Sequence, residues 1–137
     1  MNKHPYLRAY LAGIAFPTVF ILVGMMLFTV VRYVYNVSAP IERFIVFPMA
    51  AVPNAWGLWN VIYRAINARS HISLGLFGGA LPLLMAPCGY LVARLLDLTV
   101  PHGIFGFVAF ALPVGLIIYY LLWKHVVGFL NVELGIA

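Results

Sequence analysis

The sequence predicts an all-α integral membrane protein, a bundle of four transmembrane helices with proline-kinked spans running up-down-up-down. Three observations carry that prediction. Hydrophobic residues make up 65% of the 137 and charged residues 8%, with a mean hydropathy of +1.05, whereas a soluble domain carries roughly a quarter of its residues as charges. Four apolar stretches, at 10–31, 44–63, 72–93 and 104–123, come near the roughly 20 residues that cross a hydrocarbon core. The connections between them are short, so consecutive helices are expected as antiparallel neighbours in a single domain covering 1–137.

The first stretch, Tyr10 to Val31, follows Lys3 and Arg8 and precedes a faintly cleavage-like Val37–Ala39. Its apolar core is too long for a secretory signal and Met1 is present, so it reads as a retained span. The second, Phe44 to Tyr63, contains the sequence "AVPNAWGLWN". Trp59 and Tyr63 suit the aromatic belt at the Arg64 end, with Asn60 within reach of headgroups or water. Asn54 falls near the bilayer centre, where an amide finds no water, and is expected to face the bundle interior beside Gly57, which lets another helix come close. Two roles stay open for Asn54: an interhelical hydrogen bond or a lining group of a polar path. Trp56, about 200° further round the helix, does not share its face.

The third stretch, Ile72 to Ala93, concentrates glycine and proline. Gly75 and Gly79 form a G-x-x-x-G that brings two backbones together, within the monomer or across a homodimer seam. Cys88 is the one cysteine, which excludes an intrachain disulfide and leaves a small packing residue. The fourth stretch, Ile104 to Trp123, carries Phe105, Phe107, Phe110, Tyr119, Tyr120 and Trp123 around its whole circumference, the pattern of lipid-facing bulk rather than of a quinone-binding stripe.

Each stretch contains proline: Pro17, Pro48, Pro53, Pro82, Pro87 and Pro113. A proline lacks an amide hydrogen and crowds the carbonyl four residues back, and in hydrocarbon that carbonyl needs another partner. The kinks either shape the bundle or, as in broken-helix transporters, expose carbonyls to a solute.

Lys3, Arg8, Arg64, Arg69 and Lys124 lie on the side of both termini, and Arg32, Arg43 and Arg94 on the other. That bias favours cytoplasmic termini in an inner membrane. The net charge of +5 is dispersed in ones and twos, which indicates anchoring to lipid headgroups and no nucleic-acid surface.

The acidic residues are Glu42, Asp97 and Glu133, all at or beyond the ends of the apolar stretches. Proton-coupled export needs a carboxylate within a helix, and general acid–base catalysis needs a pair. Neither pattern is present, nor is a phosphate loop or a nucleophile beside a base, so no enzymatic activity is expected. Asp97 reads as a partner of Arg94. His71 and His125 fall at one membrane face and could flank a haem, while His102 lies on the other. Their neighbours Arg69, Ser70 and Lys124 look like ordinary interfacial boundaries, and no cofactor or metal is expected.

The expectation is therefore a non-enzymatic accessory or structural subunit that packs against lipids and other transmembrane subunits, or against a second copy of itself. The alternative is a small homodimeric channel or uniporter with Asn54, Asn60 and the carbonyls freed by Pro53 and Pro82 along its path.

Overall fold

A computed structural model describes residues 4–36, 46–67, 69–95 and 103–136. Lys3, Val37–Ala39, Glu42, Arg43, the Phe44 start of the second stretch, Asp97 and His102 lie outside the described residues. All the regular structure described is helical. Helix α1 covers Pro5–Tyr35. A π-helical turn, Val46–Ala51, leads into α2, Val52–Asn67, and α3 and α4 follow at Leu74–Gly79 and Leu81–Leu95. Helix α5, Ile104–Leu122, continues through a second π-helical turn, Trp123–Val127, into α6, Gly128–Glu133.

Three helical segments among the described residues are long and apolar enough to cross a membrane: Pro5–Tyr35, Leu74–Leu95 and Val108–Glu133. The second expected span is not among them, because α2 is 16 residues long and carries Asn54, Asn60, Arg64 and Asn67.

Helix α1 begins with proline at its first position, where the missing amide hydrogen breaks no helical bond. It ends at Asn36, whose φ of 51° is the left-handed conformation that stops a helix. Its 31 residues extend about 46 Å, well beyond the roughly 30 Å of a hydrocarbon core. The apolar window at 10–31 was shorter because hydropathy registers immersion in lipid, not hydrogen bonding along the backbone.

The third stretch is two helices rather than one. The Ala80 amide donates to Leu76 at 3.2 Å and Phe77 at 3.3 Å, closing α3, and Pro82 becomes the second residue of α4, where its ring is tolerated. Ser73 caps α3 by accepting from the Leu76 amide at 3.3 Å. At the other end of the chain the helix does not stop at Trp123. It passes Lys124 and His125 and ends in a Schellman motif: Gly135 adopts φ 64°, its amide donates to Val132 at 2.9 Å, and that of Ile136 donates to Asn131 at 2.8 Å.

The chain divides into two compact units, residues 1–65 with 131–137 and residues 66–130. In the first, Ala9, Ala12, Gly13 and Pro17 of α1 are buried, as are Pro53, Trp56, Gly57 and Asn60 of α2. Both sets follow the three-and-four spacing of a single helix face. In the second, Gly75, Gly78 and Leu81 are buried with Trp123 and Val127.

Candidate functional site

The polar side chains of the first unit collect where α1 meets α2. Small residues make the meeting possible. A Cβ added to Gly13 would lie 2.6 Å from the Trp56 carbonyl oxygen and 2.8 Å from the Gly57 Cα, and one added to Gly57 would lie 2.6 Å from the Tyr10 ring and the Ile14 side chain. Real Cβ atoms do not approach so closely, so the two backbones are in direct contact at these glycines. Next to them the Phe16 ring stacks on Trp56 with centroids 5.9 Å apart and on Phe20 at 5.7 Å.

Asn60 sits at the same seam and is 1% exposed. Its Nδ2 donates to the Ala9 carbonyl at 2.8 Å and to Asn131 Oδ1 at 2.8 Å, and its Oδ1 accepts from Asn131 Nδ2 at 3.2 Å. Asn131 is 4% exposed, so the two amides form a reciprocal pair away from solvent. The segment that follows is held by charge. Arg8 Nη1 donates to the Leu134 carbonyl at 3.2 Å and Arg64 Nη1 to the Ile136 carbonyl at 2.7 Å. Cations at the carbonyl end of a helix complement its partial negative charge.

The two asparagines of α2 thus exchange the positions expected of them. Asn60, expected near headgroups or water, is interior. Asn54, expected to face the interior, is exposed, yet it makes an interhelical hydrogen bond, the first of the two roles open to it: its Oδ1 accepts from the Tyr10 hydroxyl of α1, and its Nδ2 donates to the Ala50 carbonyl, four residues back. The buried face is set by Trp56, the largest group available, and Asn60 lies four residues along the same face. Gly57 does admit a neighbouring helix, here α1, and Trp56 and Asn54 do lie on different faces. Pro53 is buried, the second residue of α2 after the π-helical turn that ends at Ala51.

In the second unit the expected G-x-x-x-G is a contact within the chain. A Cβ on Gly75 would lie 2.8 Å from the Tyr120 ring, and one on Gly79 would make ordinary contact with Tyr120 at 3.5 Å. The tightest position is Gly78, which the motif passes over: a Cβ there would overlap the Trp123 indole. Lys124 extends its ammonium over the Tyr120 ring, 5.7 Å from the centroid. Pro82 is half-buried.

Cys88, expected as a packing residue, is exposed on α4, since the buried side of that helix is limited to Leu81 among the described residues. His71 and His125 are both exposed. Among the described residues no three of His, Cys, Asp and Glu gather as metal ligands would.

Asn131 and the gripping role of Arg8 and Arg64 are what the sequence reading missed. The signal was present: Trp123, Val127 and Asn131 recur every four residues, one buried row running beyond the apparent end of the last apolar stretch. Chemically the seam offers amide hydrogen bonds and guanidinium charge, groups suited to fixing a structure and recognising oxyanions. Comparison with protein-family models, with curated proteins and with solved structures gives no match.

Proposed function

We propose that the chain is a non-enzymatic, multi-pass inner-membrane protein whose four helices pack up-down-up-down with both termini cytoplasmic, acting as an accessory or structural subunit beside other membrane helices. The observation that carries this reading is the second half of α1. From Thr18 to Tyr35 no residue is buried, and Val19, Phe20, Met26, Leu27 and Val30 are each more than half exposed. Midway along, a Cβ on Gly24 would meet nothing within 4 Å, so a second helix backbone can approach there. Meanwhile Asn60, Asn131, Arg8 and Arg64 are engaged in holding the first unit together. The membrane placement is supported by three helices of sufficient length and apolarity.

The test is the mass of the complex extracted from its native membrane in mild detergent, with its chains identified. Unrelated membrane subunits at fixed stoichiometry are expected. A monomer without partners that moves a solute in liposomes would end the reading.

One observation favours a second reading, a homodimeric channel or uniporter. Asn54, the Tyr10 hydroxyl and the Ala50 carbonyl form a polar cluster open at the surface of α2. On that reading Asn54→Leu changes solute flux in liposomes while the protein still folds; unchanged flux removes Asn54 from any path.

A further inference from the structure

We propose that Arg8 and Arg64 together form a site for the phosphate group of an anionic membrane lipid, pre-set by the carbonyls of Leu134 and Ile136. This rests on membrane residence and on the second apolar stretch lying in the membrane, and not on the accessory-subunit reading.

The two arginines come from different helices but reach one place. Arg8 precedes Ala9 and Arg64 lies one turn beyond Asn60, the two residues joined across the seam. Both residues are half-buried and bonded to carbonyls only two residues apart, positions that an extended chain separates by no more than about 7 Å. Those two hydrogen bonds are the polar contacts the side chains make among the described residues. A guanidinium has five N–H donors in a rigid fork, so each keeps donors beyond the one its carbonyl uses. Two like charges with no ion pair to a carboxylate among the described residues are offset only in part by the carbonyl end they grip, and half-burial reduces the screening that water would provide. An oxyanion between them relieves the repulsion and matches the fork geometry, which is the mode in which arginine recognises phosphate.

Placement selects the source of that phosphate. Arg8 stands just before the apolar run that begins at Tyr10, and Arg64 just after the run that ends at Tyr63. Both are therefore at the level of headgroups, where a lipid phosphate is held in place by its own acyl chains. The backbone carbonyls fix the two side chains beforehand, which lowers the ordering cost of binding.

The experiment uses the full chain in a neutral detergent, titrated with phosphatidylglycerol or phosphatidylcholine and read by native mass spectrometry, with inorganic phosphate as a separate ligand. The expected result is one phosphatidylglycerol retained per chain with little phosphatidylcholine. Arg8→Gln or Arg64→Gln weakens retention about five- to tenfold, from about 1 kcal/mol for each cation near the surface plus the loss of its fork. Arg69→Gln, which removes the same charge from an exposed position, changes it by less than about twofold. Inorganic phosphate that binds the wild type, and not the glutamine variants, makes the ligand a solution anion at the same two arginines; phosphate that fails to compete makes it the lipid. Equal retention of the two lipids, wild-type retention by the glutamine variants, or an equal loss in Arg69→Gln overturns the proposal. If a glutamine variant loses its near-ultraviolet tryptophan signal, and with it its fold, the wild type decides alone: at least fivefold preference for phosphatidylglycerol supports the site, and no preference overturns it.

Discussion

Replacing Asn60 by leucine, a residue of nearly the same shape, tests whether the amide pair organises the first unit. The change removes the bond to Ala9 and both bonds to Asn131. It also leaves the Asn131 amide buried with neither its oxygen nor its nitrogen paired by that partner. Orphaning a buried amide costs about 1–3 kcal/mol and each lost hydrogen bond about 0.5–1.5 kcal/mol, toward the lower end in membranes. The single change is therefore expected to cost about 2–3 kcal/mol, and Asn131→Leu about 2 kcal/mol because Asn60 keeps its bond to Ala9. The double replacement removes both polar groups at once and should cost only about 1–2 kcal/mol. The coupling in a double-mutant cycle is then on the order of −3 kcal/mol. It is measured by unfolding the four proteins in mixed micelles, with tryptophan fluorescence as the signal. Additive costs, with coupling smaller than about 0.5 kcal/mol, would refute the claim that the two amides act as a pair.

Gly13→Ala and Gly78→Ala are each expected to destabilise by about 1–3 kcal/mol, since the new methyl meets α2 backbone in one case and the Trp123 indole in the other. Gly24→Ala and Gly106→Ala meet nothing within 4 Å and should be neutral or stabilising by up to about 1 kcal/mol; melting temperatures in detergent compare all four. Gly135→Ala forces a side chain into φ 64° and should cost about 1 kcal/mol, seen as faster hydrogen exchange at the Ile136 amide with the amides of α4 unchanged.

Helix class was legible because it follows from composition: an apolar run of some 20 residues with few charges has few alternatives to helix. Contacts through small residues were legible too, in Gly57, Gly75 and Gly79. Which side of α2 faces inward was not. Asn54 and Asn60 are six residues apart, about 240° around the helix, and both are amides, so chemistry alone does not rank them. Trp56 decides, because burying its large ring turns the Asn60 side of the helix inward. The end of the last helix was missed for a related reason. Lys124 and His125 mark where lipid gives way to headgroups, yet a backbone there still gains its hydrogen bonds by continuing, and the partner that anchors it, Asn60, is 71 residues away.

That separation gives the chain a timetable. Asn60 and Ala9 leave the ribosome early, but Asn131 follows only after a further 71 residues, about 4–14 s at 5–20 residues per second. Through that interval α1 and α2 can meet at Gly13 and Gly57, while the second partner of the Asn60 amide does not yet exist. The glycine contact can thus form before the amide pair, which waits for Asn131, and before the arginine grip, which waits for Leu134 and Ile136.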